Sequence, residues 1–230
     1  MASSALITGG TGGLGAAVTR AFLDAGWRAV VPVYDEAERD RVPDHERLVL
    51  ERADLFDAAS AAAVVATAAG DAGAPLRAVV NLVGGFAEGE RVHATPIEDF
   101  ESQLRLNLRP TYLVCQAALP HLLEGGGGAI VCVSSRAALR PFSGAAGYIV
   151  GKAAVLAFVD ALAAEYRQDA IRVNAILPSI IDTPTNRRSQ PDADYSRWVS
   201  PVQIADVVRF LCEDGSAAIS GAHVPVYGRA

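Results

Sequence analysis

The chain has 230 residues, of which 51 % are hydrophobic and 20 % charged, with a net charge of −6. That balance suits one folded α/β domain spanning 1–230 and excludes an intrinsically disordered chain. The arginines are scattered with no basic block, which argues against nucleic acid or an anionic membrane as partner.

No basic stretch precedes an apolar run at the N-terminus, so no secretory signal is expected. No apolar run is read as reaching the ~20 residues of a membrane span. Cys115, Cys132 and Cys212 are odd in number, far apart and set in apolar segments, as buried free thiols of a cytoplasmic protein would be. His45, His93, His121 and His223 show no ligand spacing, and no metal is expected.

Residues 4–8 are short and apolar and read as a buried strand. The run Gly9-Gly10-Thr11-Gly12-Gly13-Leu14-Gly15 follows, then a helical pattern through Ala16, Val18, Ala21, Phe22 and Leu23. A strand, a glycine turn and a helix N-terminus make an anion site, because backbone N–H groups and the helix dipole face the phosphates of a nucleotide. Two registers fit: Gly10, Gly12 and Gly15 match G-x-G-x-x-G, while Thr8, Gly9, Gly13 and Gly15 match T-G-x-x-x-G-x-G. Residues 28–33 read as a second strand. Tyr34, Asp35 and Glu36 follow, with the acids either holding a ribose 2′-hydroxyl or serving as solvated loop charges.

A third strand is expected at 47–50, with Asp54 and Leu55 beyond it, then an alanine-rich helix at 58–69 and a buried strand at 78–83 closed by Gly84-Gly85. A long helix is expected at 96–123 with Asn107 in its middle, a strand at 129–133 ending on Ser134-Ser135, and a helix at 145–166. Residues 171–177 form a sixth strand stopped by Pro178. Residues 179–200 read as an irregular, mobile flap over the site. A helix at 201–212 and a last strand at 224–227 complete the chain. Strands alternating with helices predict a single Rossmann-type, doubly wound parallel sheet of about seven strands with helices on both faces. Right-handed crossovers then bring every strand's C-terminal end to one rim.

Of the 20 basic residues only Lys152 is a lysine. It lies four residues after Tyr148, so on a helix the two side chains share a face. A phenol titrates near about 10 and is a poor acid or base at neutral pH. A neighbouring ammonium favours the phenolate, which makes the pair a candidate general acid/base.

Taken together, Thr8-Gly9-x-x-x-Gly13-x-Gly15, Asp54, Asn81-x-x-Gly84, Asn107, Ser135, Tyr148-x-x-x-Lys152 and Pro178…Thr183 resemble the short-chain dehydrogenase/reductase family over nearly the whole chain. The resemblance implies an NAD(P)-dependent enzyme that moves hydride between nicotinamide and a carbonyl or alcohol. Tyr148 would exchange the proton, Ser135 would fix the substrate oxygen, Lys152 would tune Tyr148 and hold the nicotinamide ribose, and Asn107 would steady a water. The cofactor would lie along Gly9, Thr11, Gly12, Gly13, Leu14, Gly15, Tyr34, Asp35, Asp54, Leu55, Asn81, Val83, Gly84, Tyr148, Lys152, Pro178, Ile181 and Thr183. Val33 stands where the family's NAD-selective acid commonly sits, so only weak discrimination between NAD and NADP is expected. A homodimer or homotetramer is implied.

Three departures from the family pattern are Asn81-Leu82-Val83-Gly84, Pro178-Ser179 and Tyr227-Gly228-Arg229. The segment 177–198 also resembles quinonoid dihydropteridine reductases, which leaves a pterin or imine reductase as the alternative. A non-catalytic nucleotide-binding protein is a more remote one. Phe86, Tyr195 and Trp198 are candidates to face a flat substrate ring, with Trp198 equally suited to anchoring the flap.

Overall fold

Strand β1 (Ser4–Thr8) lies third in a single seven-stranded parallel sheet in a computed structural model that describes residues 2–229. The other strands are β2 (Arg28–Val33), β3 (Leu48–Arg52), β4 (Leu76–Asn81), β5 (Gly128–Val133), β6 (Ile171–Pro178) and β7 (His223–Val226), in the spatial order β3-β2-β1-β4-β5-β6-β7. Among the described residues six α-helices accompany them: α1 (Gly15–Asp24), α2 (Ala58–Ala69), α3 (Ile97–Glu124), α4 (Ala146–Glu165), α5 (Pro184–Ser189) and α6 (Pro201–Cys212).

The strands are apolar on both sides because both faces are covered. Alternate residues of β1 point opposite ways: Leu6 joins Val64, Val114 and Val159 of α2, α3 and α4, while Ala5 and Ile7 join Val18, Phe22 and Val208 of α1 and α6. Strand order reverses between β1 and β4, which opens a crevice beyond their C-terminal ends.

Helix α4 is long and apolar enough to cross a membrane by length and composition, contrary to the reading that no run reaches a span. Here it is a core helix, packed on α3 and β6, with Val155, Leu156, Val159 and Leu162 buried. The flap also departs from expectation. It contains α5 and a 3₁₀ turn at Tyr195–Arg197, and Ile181 pairs with Val199. Pro184, which reads as a breaker, occupies the first turn of α5, and Thr183 caps it by accepting from the Asn186 N–H at 3.2 Å.

Strand limits shift slightly. β3 continues through Glu51 and Arg52 because the register Val31↔Leu50 to Val33↔Arg52 is kept at an exposed sheet edge. β4 begins at Leu76 and stops at Asn81, and β7 begins at His223 opposite Ala175.

Candidate active site

The glycine run turns tightly between β1 and α1. Gly9 has φ +67°, and a Cβ on Gly15 would lie 1.9 Å from the Gly9 carbonyl oxygen, so no other residue fits there. Gly12 N–H donates to that carbonyl at 3.0 Å. The exposed face of the turn meets the flap, since a Cβ on Gly13 would strike Thr183 Cγ2 at 2.9 Å. Gly13 and Thr183, 170 positions apart in the chain, therefore belong to one site.

Beyond β5, Ser134 and Ser135 diverge. Ser134 is buried and donates to the Lys152 carbonyl at 2.7 Å, tying the strand end to α4. Ser135 accepts from the Ala137 N–H at 3.1 Å and starts a short 3₁₀ turn, with its hydroxyl close enough to Tyr148 to act on the phenol. Lys152 is 5 % exposed, and its ammonium donates to the Val133 carbonyl at 3.0 Å. Burial pulls its pKa down to about 8.

Tyr148 departs from expectation. Burial pushes its pKa above the ordinary phenol value, with the Ser135 hydroxyl acting the other way. No hydrogen bond joins it to Lys152 among the described residues, because the ammonium is turned to Val133.

Asn107 is held by three hydrogen bonds. Its Oδ1 accepts from Gly85 N–H at 3.1 Å, and its Nδ2 donates to the Gly85 and Gln103 carbonyls, each at 3.0 Å. The side chain thus fastens the loop after β4 to the middle of α3. Gly151 lets α4 approach that turn, since a Cβ there would lie 3.2 Å from the Gln103 carbonyl oxygen and 3.3 Å from Asn107 Cβ. Gly84 sits between the two polar groups: a Cβ on it would meet Asn107 Oδ1 at 2.7 Å and Lys152 Nζ at 2.8 Å.

Phe86 stands edge-on to Tyr148, ring centroids 5.0 Å apart and planes at 86°, and Phe142 lies 6.3 Å from Phe86. Beside Tyr148 a cleft of about 320 Å³ runs between the 87–96 loop, the start of α3 and the start of α4. A larger hollow of about 480 Å³ lies against β3, lined by Arg39, Asp44 and His45, and touches none of these groups.

The family model of the short chain dehydrogenases matches residues 3–194. The chain belongs to the short-chain dehydrogenase/reductase family. It is 31 % identical to the 2-(R)-hydroxypropyl-CoM dehydrogenase of Xanthobacter autotrophicus, over 99 % of this chain and 98 % of that one. The 3-ketoacyl-(acyl-carrier-protein) reductase of Brucella melitensis, solved with NADH, is 29 % identical and superposes with a TM-score of 0.87, covering 99 % and 98 % of the two chains. The protein ElxO, solved with NADP bound, shares the fold at a TM-score of 0.92 and 24 % identity, over 99 % and 98 % of the two chains.

A dinucleotide of the kind short-chain dehydrogenases use fits the residues present. The Gly9–Gly15 turn leaves a cradle without side chains, and the Lys152 ammonium makes a single hydrogen bond, leaving donors free for a ribose. Pro178, Ile181, Val83 and Leu55 lie at or just past strand ends on the same rim. Asp54 is exposed and accepts from the Phe56 N–H at 2.9 Å. Tyr34 is exposed, and Asp35 accepts from the Ala37 N–H at 3.0 Å to cap the 3₁₀ turn at Glu36–Arg41. The Asn81 side chain instead turns into the core, donating to Cys115 Sγ at 3.4 Å. Trp198 is buried, and with Tyr195, 4.7 Å away, it braces the flap.

The structure adds groups that sequence reasoning missed. Phe142, in a proline-bearing loop without periodicity, gave no signal. Glu38 accepts from the Thr11 hydroxyl at 2.8 Å, linking the loop after β2 to the glycine turn.

Proposed function

We propose that the chain is an NAD(P)-dependent oxidoreductase acting on a carbonyl or alcohol through Tyr148, Ser135, Lys152 and Asn107. The observation that carries this is the Ser135 hydroxyl beside the Tyr148 phenol, one helical turn from the chain's sole, buried lysine. When bound, a reduced nicotinamide supplies a hydride to the carbonyl carbon. Tyr148 gives its proton to the carbonyl oxygen, which becomes the alcohol hydroxyl. Ser135 holds that oxygen by donating to it. Lys152 directs its spare donors toward the ribose and favours the phenolate left behind. Asn107 keeps Gly84 and Gly85 in place around the ammonium. In this reading one domain holds both cofactor and substrate, with residues 179–200 as the flap, in a cytoplasmic homo-oligomer with buried free thiols.

The resemblance of the flap to dihydropteridine reductases has less support. Ser135 is suited to a carbonyl oxygen, and Tyr195 and Trp198 pack on each other instead of facing the site.

The test is Tyr148→Phe. Turnover of a panel of ketones, aldehydes and alcohols should fall by about 10²–10⁴-fold, while NADH and NADPH dissociation constants from fluorescence titration stay nearly the same. Undiminished turnover in this variant would sink the proposal.

A further inference from the structure

Phe86 and Phe142 are 56 % and 47 % exposed, yet they stand at the one place where this chain carries its reactive phenol. Apolar rings left open to water around a reactive group mark a ligand surface. Phe86 is held in position by its edge contact with Tyr148, and the loop bearing it is closed against the Phe142 loop where Gly89 N–H donates to the Gly144 carbonyl at 2.8 Å. Gly89 and Gly144 at this junction line the same cleft as Tyr148. Its volume, about 320 Å³, is at the small end for ligand sites, which run from roughly 300 to 1,000 Å³.

The lining of that cleft is chemically one-sided. Phe100, Pro96 and Ala145 give it apolar walls, and Glu88, Glu90 and Asp99 add three exposed carboxylates. No basic side chain lines it. An anionic tail would therefore lose its hydration and meet like charge, whereas a neutral or cationic tail would not.

We propose that Phe86 and Phe142 hold the planar ring of an aromatic or cyclic carbonyl or alcohol, whose far end lies in this cleft and carries no negative charge. The inference rests on the oxidoreductase reading above and names the substrate class for the same site. The reaction is the same two-electron reduction: the aldehyde or ketone gains one hydride at carbon and one proton at oxygen, NAD(P)H becomes NAD(P)⁺, and nothing leaves.

The experiment compares kcat/KM for propanal, benzaldehyde, 4-formylbenzenesulfonate and 4-formyl-N,N,N-trimethylanilinium. The last two differ in tail charge while both withdraw electrons from the aldehyde. The cation should exceed the sulfonate by about tenfold or more, and Glu88→Gln with Glu90→Gln should narrow that gap. Phe142→Ala should lower the benzaldehyde-to-propanal ratio by about tenfold, and Phe142→Leu by less. Phe142 is half exposed, so its truncation leaves the core intact. An unchanged ratio in Phe142→Ala, or a sulfonate used as well as the cation, overturns the inference.

If none of the four is turned over, the oxidoreductase reading fails on this panel and binding decides the site separately. Saturation-transfer NMR with benzyl alcohol should then show ring contacts that Phe142→Ala removes. Absence of ring contacts in the wild-type protein overturns the inference.

Discussion

Lys152 Nζ donates to the Val133 carbonyl at 3.0 Å, and to no other group among the described residues. One hydrogen bond does not replace the hydration an ammonium loses on burial, so the charged form is disfavoured and the pKa falls to about 8. Because Lys152 is the only lysine, selective ¹⁵Nζ-lysine labelling reports on it alone. A single side-chain resonance should titrate near 8 in the cofactor-free enzyme. Titration at the ordinary lysine value near 10.5 would show that the buried amine is better solvated than its surroundings imply.

The same shift fixes the sign of a stability effect. The folded-state pKa lies below the unfolded value, so the buried charge is a cost at every pH below about 8, relieved as pH rises from there toward 10.5. A shift of that size corresponds to about 3 kcal/mol, against about 1 kcal/mol for the lost hydrogen bond to Val133. Lys152→Met should therefore raise the melting temperature at pH 7 while abolishing turnover. The gain should shrink as pH approaches 10.5. A variant less stable than wild type at pH 7 would contradict this.

Gly84 should be a position where activity and stability separate. A Cβ there would lie 2.7 Å from Asn107 Oδ1 and 2.8 Å from Lys152 Nζ. Asn107 is pinned by three hydrogen bonds, whereas the lysine end is held by one. Gly84→Ala should thus displace the ammonium at a stability cost of about 1–3 kcal/mol. The loss of kcat should be at least about tenfold, with the protein still folded by circular dichroism. Full activity would show that Lys152 tolerates displacement.

Tyr148 and Lys152 show how much of the site is legible in the sequence. The inner strands could be read because each is a short apolar run bounded by glycine, proline or polar residues, and two-sided burial demands that pattern. Tyr148 and Lys152 could be paired because four-residue spacing fixes a shared helix face. Spacing does not fix which acceptor an amine reaches or how deeply a phenol is buried, so the Val133 contact and the burial that raises the Tyr148 pKa were both out of view. Phe142 and Glu38 were missed because both lie in loops, where no periodicity assigns a direction. Asn81 sits at a strand end, and there a one-residue change in register turns a side chain from the rim to the core. The six-residue α5 was hidden because Pro184 reads alike as a breaker and as a first-turn residue.

Cofactor preference should follow Glu38. The Thr11 hydroxyl holds its carboxylate at 2.8 Å, at the glycine turn and beyond the end of β2, where the adenosine ribose of a dinucleotide is received. Arg41 pairs with Glu38 at 2.8 Å and Arg39 pairs with Glu36, so neither guanidinium is left as a phosphate clamp. A 2′-phosphate would bring roughly two further negative charges to these acids. The weak discrimination expected from the sequence becomes a moderate preference for NAD, about ten- to a hundredfold in kcat/KM. Glu38→Gln should narrow it, with the change visible in NADPH dissociation constants as well as in rates. A wild-type preference for NADP would refute the assignment.

Helices α3 and α4 set the last expectation. Helix α4 is apolar apart from Lys152, Asp160 and Glu165, yet fewer than half of its residues are buried within the chain. Tyr112 on α3 and Phe158 on α4 lie 5.7 Å apart, with Tyr112 exposed, and Val150 is exposed one turn before Ala154 on α4. Such a surface on two adjacent helices suits a two-fold contact in which each copy covers the other. The contact would press on the same α3–α4 pair that Gly151 brings together, so assembly would steady the spacing between Asn107 and Lys152. Light scattering at micromolar concentration should give a dimer or tetramer. Tyr112→Glu combined with Val150→Glu should yield a folded monomer with reduced turnover, because charge placed on both helices cannot be desolvated in the contact. A monomeric wild-type protein would remove this account, and an oligomer unaffected by the double substitution would place the contact on another face.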